Sequence, residues 1–190
     1  MSELDGQANL LGALALVITD QTAQAAAAAA GQSVSAAAAL SALHHFLDRP
    51  TLDQLRKVLG LTPSGAVRLV DRLAGAGLVT RGPGGDGRSR SVILTGKGQQ
   101  AAERITAARA AVLSGALDEL SRPDRQELHS LMSQIMASIV RGKDGGAWIC
   151  RLCDLGACGR AAGQCPAANA AAAKYAGPRP RSEPAAPGPD

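Results

Sequence analysis

The chain has 190 residues, enough for one sizeable domain and a tail, and 46% of it is hydrophobic, an ordinary globular share. Phe46, Trp148 and Tyr175 are its only aromatics, so the core must be built from Leu, Val, Ile and Ala, which suits close-packed helices. The net charge is a modest +4; no apolar run approaches the roughly 20 residues of a membrane span, and no basic stretch precedes the apolar part of the first twenty residues, so a signal peptide is not expected and the cytoplasm is.

Residues 4 to 30 read as a long helix, with Leu11, Leu14, Ile18 and Gln21 on one stripe and an alanine run at its end. Gly31 ends it, and Ser33 or Ser35 caps a second helix to about Leu47 that carries His44, His45 and Phe46. Asp48-Arg49-Pro50 breaks that helix. Thr51 and Gln54 have capping-box spacing and start a third helix with Leu52, Leu55, Val58 and Leu59 as its buried stripe. Gly60 stops it. Thr62 then caps a fourth helix with Pro63 at its first position, where the missing N–H costs nothing. Ala66, Leu69, Val70 and Leu73 are its apolar side. Gly65, Arg68 and Arg72 share the opposite face, with Ser64 near the leading edge.

Leu78–Arg81 and Ser91–Thr95 read as two strands joined by a Gly-rich, polar loop. Thr95 starts a fifth helix to about Leu120, with Ile105, Val112, Ala116 and Leu120 among its apolar positions. Ser121 caps a sixth, with Leu128, Leu131, Ile135 and Ile139 near helical spacing. A linker follows, then a Cys-rich segment, and from Gly177 a Pro-rich tail expected to be disordered. The expected organisation is a domain over 1–141, a Cys-rich segment over 142–176 and a tail over 177–190.

Charge is unevenly placed. Between Gln54 and Gln100, Arg56, Lys57, Arg68, Arg72, Arg81, Arg88, Arg90 and Lys97 face only Asp71 and Asp86. The first 53 residues hold Glu3, Asp5, Asp20, Asp48 and Asp53 against Arg49. A local basic patch on a balanced chain suits a polyanionic partner. The third and fourth helices form a helix-turn-helix, in which the second helix lies in a DNA major groove while the first braces it. Arg68 and Arg72, one turn apart, then reach bases or phosphates. Ser64 and Gly65 offer backbone N–H groups to a phosphate. The loop carrying Asp86, Arg88 and Arg90 is thin enough for the minor groove, whose potential attracts a guanidinium.

VRLVDRLAGAGLVTR followed by DGRSRSVILTGKG resembles the winged helix-turn-helix of the MarR (multiple antibiotic resistance regulator) family, over roughly residues 8 to 141. The resemblance implies a mainly α fold with a small β-hairpin wing, a DNA-binding part over about 51–97, and a dimerisation region of long terminal helices over about 1–30 and 96–141. It implies a wing arginine at Arg88 that enters the minor groove, positioned by Asp71 in the recognition helix, with Asp86 beside it in the wing. It further implies a homodimer on double-stranded DNA, a pseudo-palindromic operator, and release by a small-molecule effector or by cysteine oxidation. The expected protein is a non-enzymatic transcriptional regulator, a ligand- or redox-responsive repressor. No effector pocket is legible. His44 and His45 are the candidates to line one, against the plainer reading of surface or core histidines.

All four cysteines lie in one stretch: Cys150, Cys153, Cys158 and Cys165, spaced C-x2-C-x4-C-x6-C. Four thiolates suit tetrahedral zinc, with an iron–sulfur cluster as the alternative. The spacing matches neither common ferredoxin pattern nor two clean zinc knuckles. Zinc would supply the folding free energy that so short and Gly-rich a segment lacks. A thiol switch is a further reading, since Arg151 and Arg160 favour nearby thiolates. This makes a metal- or redox-sensing regulator the second hypothesis. An enzyme or electron carrier is the third, and neither a Ser-His-Asp arrangement nor a phosphate loop supports it.

Overall fold

The computed structural model describes residues 2–83, 90–142 and 149–175. Helices α1 (Glu3–Ala30), α2 (Val34–His45), α3 (Leu52–Leu59) and α4 (Pro63–Gly75) come first. The antiparallel strands β1 (Val79–Pro83) and β2 (Arg90–Leu94) follow, then α5 (Gly96–Gly115), α6 (Arg122–Gly142) and, past two short 3-10 turns, α7 (Pro166–Tyr175).

Local chemistry sets the boundaries. The Thr51 hydroxyl accepts the Gln54 N–H while the Gln54 side chain accepts the Thr51 N–H, a complete capping box. Thr62 accepts the Gly65 N–H, with Pro63 in the first turn. Ser33, not Ser35, caps α2. Ser121 caps α6 by accepting the Asp124 N–H. A further capping box, Ser2 with Asp5, starts α1. The fifth helix stops at Gly115 and continues as turns rather than helix toward Leu120; glycine is a poor helix residue and gives the chain an early exit.

The core joins Leu40, Leu55, Val70, Leu73 and Ile105 with small residues of α2 and α5, among them Ala36, Ala37, Ala39, Ala101 and Ala102. The alanines let α1, α2 and α5 pack closely without aromatics. The N-terminal half of α1 leaves this body: residues 2 to 17 are all exposed. Leu4, Leu10, Leu11, Leu14, Leu16 and Val17 stand on it, and Leu131, Met132, Ile135 and Ile139 stand exposed on α6. Monomeric soluble proteins rarely expose so much contiguous apolar surface without a partner for it. Although no unbroken apolar run reaches membrane length, α1 as a whole is long and apolar enough to span a bilayer by length and composition. α1 packs against α5.

The Cys-rich segment is more ordered than its composition promises. Residues 166–175, read only as part of a Cys-rich stretch, form the Ala-rich helix α7, which packs against α6. The expected tail over 177–190 lies outside the described residues.

Candidate nucleic-acid interface

The helix-turn-helix is α3, the Gly60 turn and α4. Gly60 takes φ +66, a left-handed conformation that favours glycine and closes α3. The apolar side of α4, Ala66, Leu69, Val70 and Leu73, is buried, which turns Arg68 and Arg72 outward. Ser64 is exposed at the start of the helix and Gly65 is half-buried. The Gly65 N–H, expected for a phosphate, is engaged by Thr62 Oγ1 at 3.1 Å. A Cβ on Gly65 would come within 3.0 Å of that same oxygen.

The wing is fastened at its base by contacts that no local pattern announces. The Val92 N–H donates to the Pro50 carbonyl at 2.9 Å, and Thr51 bridges Ser91, so β2 is held on its second edge by the start of α3. The Ser91 side chain is fully buried and its hydroxyl donates to the Pro83 carbonyl at 3.0 Å. The Leu94-Thr95-Gly96-Lys97-Gly98 stretch is a clamp. Thr95 caps α5 through the Gly98 N–H, its hydroxyl donates to the Gly77 carbonyl at 2.7 Å, and its own N–H donates to the Leu78 carbonyl. Lys97 Nζ donates to the Ala76 carbonyl at 2.9 Å. A Cβ on Gly98 would lie 1.9 Å from the Leu78 carbonyl oxygen, so only glycine fits there.

Ion pairs narrow the basic patch. Asp53, just before the basic window, holds Arg56 at 2.7 Å and Lys57 at 2.8 Å. The Lys57 hydrogen bond, and then that of Arg56, keep the Asp53 carboxyl below its ordinary pKa. Asp71 accepts from Arg81 Nη2 at 2.6 Å, tying α4 to β1. The brace expected between Asp71 and Arg88 has its wing end outside the described residues, as have Asp86 and Arg88 themselves. Within the described residues, Arg81 is the partner Asp71 takes. Arg68, Arg72 and Arg90 are exposed and enter no ion pair among the described residues. Three guanidiniums without an ion pair among the described residues thus stand on the outer face of α4 and the wing base, a far more specific feature than the total charge.

Two further features lie behind this face. A cleft of about 470 Å³ opens between the end of α2 and β2, lined by His44, His45, Arg49 and Gln99 among others. Its wall joins the end of α2 and the turn after it to β2 and Gln99, far apart in the chain, which is why the sequence showed no pocket. His45 Nε2 stands 2.9 Å from Thr106 Oγ1 of α5, and His44 Nδ1 is buried without a partner among the described residues. Burial, then the neighbouring His44, push the His45 pKa below its ordinary value.

The four cysteines are free thiols; Cys150 and Cys165 are buried, Cys153 and Cys158 half-buried. Burial is the main reason the Cys150 and Cys153 pKa values are raised, and the other thiols add to it. Among the described residues no three His, Cys, Asp or Glu side chains already stand in ligating positions. Arg160 Nη1 donates to Cys150 Sγ at 3.8 Å.

Residues 30–89 match the family model described as MarR family. No curated protein matches the chain in sequence. Among solved structures, the chain is similar to MepR, a transcription regulator of the Staphylococcus aureus multidrug efflux pump MepA, at 17% identity and a TM-score of 0.61, over 70% of this chain and 97% of that one. It is similar to Rv1404 from Mycobacterium tuberculosis at 22% identity and a TM-score of 0.60, over 71% and 93%. A point mutant of S. aureus MepR bound to an oligodeoxyribonucleotide matches at 17% identity and a TM-score of 0.53, over 70% and 97%. The fold is a winged helix-turn-helix of the kind found in MarR-family transcription regulators. Residues 30–89 are thus similar to the MarR family, and the chain also carries four cysteines between residues 150 and 165.

Proposed function

We propose that this protein is a cytoplasmic, non-enzymatic transcriptional repressor that binds a pseudo-palindromic operator as a homodimer. The observation that carries the reading is the exposed set Arg68, Arg72 and Arg90, without an ion pair among the described residues, on a helix and wing base tied to the body. Arg68 and Arg72 suit the major groove, where a bidentate Arg–guanine contact is worth about 1–3 kcal/mol of discrimination. Arg88 is assigned to the minor groove, with Asp86 and Asp71 positioning the wing. MepR, the similar protein whose structure holds an oligodeoxyribonucleotide, supports the ligand class. The exposed apolar faces of α1 and α6 support the homodimer, since pairing two copies would cover them.

Selection from a random duplex library tests this directly. The expected product is a two-fold related pair of half-sites about 10 base pairs apart, bound by a dimer. Recovery of no enriched sequence, or tight binding by a monomer, would sink the reading.

The release signal has two candidate seats. A small-molecule effector fits the cleft beside His44 and His45. The four-cysteine segment is assigned zinc through Cys150, Cys153, Cys158 and Cys165, with an iron–sulfur cluster as the alternative; the clustering of all four cysteines between residues 150 and 165 favours a shared ion. Metal analysis decides between them: a colourless protein with one zinc supports the first, a brown one with iron and sulfide the second.

A further inference from the structure

A second cavity, of about 350 Å³, lies between α5 and the Cys segment. Arg109 and Leu113 of α5, with Leu117 just beyond it, stand on one wall; Leu152, Cys153 and Asp154 stand on the other. Neither wall falls within residues 30–89, the part matched by the family model, and one of them is the segment itself. The volume is at the small end of what small-molecule sites enclose.

Arg109 sets the chemistry of this space. Its side chain is half-buried, and its Nε is closed off from solvent with no hydrogen-bond partner among the described residues. The guanidinium enters no ion pair among those residues. Asp154, the acid on the facing wall, is engaged elsewhere: its Oδ1 accepts the Gly156 N–H at 2.8 Å and the Ala157 N–H at 3.3 Å. Buried polar groups almost always have partners, and a partly desolvated cation without one is costly. Leu113, Leu117 and Leu152 make the remaining wall largely apolar. The Thr106 hydroxyl at its edge already donates to the Ala102 carbonyl at 3.1 Å. One cation beside an apolar wall selects a single anionic group on an apolar body, and a guanidinium offers the parallel N–H groups that match a carboxylate.

We propose that this cavity binds a small monocarboxylate, with its carboxylate on the Arg109 guanidinium and its alkyl or aryl body against Leu113, Leu117 and Leu152. The site is separate from the cleft beside His44 and His45, and Arg109 does not line that cleft. A ligand held between the walls adds to the contacts of a segment whose buried side chains, over 149–175, are Cys150, Cys165 and Ala170 alone.

The test uses the full reduced chain, isotopically labelled, with benzoate and hexanoate as probes. Benzyl alcohol supplies an apolar body without the charge, and inorganic phosphate supplies charge without the body. Titration followed by NMR reads both affinity and place. The expected result is saturable binding of at least one carboxylate with a Kd below about 10 mM, shifting amides of 106–117 and 152–158. Benzyl alcohol should bind at least about tenfold more weakly, and phosphate should not displace the carboxylate. Arg109→Gln should weaken carboxylate binding at least about tenfold, and Arg109→Lys, which keeps the charge without the fork, should recover part of it, as a variant that had lost its fold would not. No saturable binding of either carboxylate, benzyl alcohol binding as tightly, shifts centred on 43–49 and 92–94, or full affinity in Arg109→Gln each overturns the site; the first of these leaves a cavity that holds solvent only. Every outcome is read without DNA, so failure here leaves the DNA-binding reading standing.

Discussion

The unit from Thr51 to Gly98 and the segment from Ile149 to Tyr175 reach order by opposite routes. In the first, caps and ties pair residues within one or two turns or across to a strand: Thr51 with Gln54, Thr62 with Gly65, Asp71 with Arg81, Thr95 with Gly98. In the second, the 3-10 turn Arg160–Ala162 is bracketed by Gly159 and Gly163, at φ +63 and +70, and two buried thiols, Cys150 and Cys165, take the place of a core. One is held by geometry already complete. The other has only Cys150, Cys165 and Ala170 buried among its described residues.

The largest test of that contrast is Gly98→Ala. A Cβ there meets the Leu78 carbonyl oxygen at 1.9 Å, and backbone cannot yield as a side-chain end does. A loss of roughly 3 kcal/mol or more is expected, in the range of severe strain at an over-determined site. Denaturant unfolding measures it; a variant as stable as the parent would mean that the clamp between wing and α4 is soft. Cys150→Ser, by contrast, should leave unfolding of the winged unit within about 1 kcal/mol of the parent.

Next in size are the DNA-facing arginines. Arg68→Ala, Arg72→Ala and Arg88→Ala should each weaken duplex affinity by about 1–3 kcal/mol at fixed salt, with stability unchanged. Arg56→Ala should do far less, because Asp53 already occupies that guanidinium. Equal losses at Arg56 and Arg68 would show that total charge, not the exposed set, governs binding.

The legibility of the sequence follows the same divide. Caps and apolar stripes lie within one helical turn, so Thr51, Thr62, Thr95 and Ser121 revealed their helices, and the buried side of α4 is the one its spacing predicted. The tie from Pro50 to Val92 spans the whole unit, and no local pattern carries it. Arg56 and Lys57 counted as patch because Asp53 lay one residue outside the window. Helix α7 hid behind its cysteine neighbour: once Cys165 was read as a ligand, the Ala-rich run after Pro166 was not read as a helix.

Acid and alkali should act on different regions. A histidine whose pKa falls on folding binds protons more readily when unfolded. His45 thus contributes stability above the ordinary imidazole range near 6.5, and that contribution is lost as pH falls through the lowered value. Cys150 and Cys153 run the other way: with pKa values raised by burial, their contribution is full at neutral pH and lost as pH rises past the ordinary thiol range. Melting temperature should drop from pH 7 to pH 5, and His45→Gln should flatten part of that drop. Exchange over 149–165 in the ion-free chain should rise first on the alkaline side. A segment that loosens in acid alone would contradict the assignment.

The smallest stability effect, and the most discriminating, belongs to Asp71. Its pair with Arg81 is exposed on both sides, 54% and 41% accessible, and such pairs contribute roughly 0–1 kcal/mol. Asp71→Asn should barely move the unfolding midpoint. The same bond links α4 to β1, and the wing is built on β1. A tilt there displaces the wing tip relative to the recognition helix, so duplex affinity should fall several-fold while stability holds. If affinity and stability both stay put, Asp71–Arg81 is an ordinary surface pair, and the wing takes its direction from Thr95, Gly98 and the Pro50 tie alone.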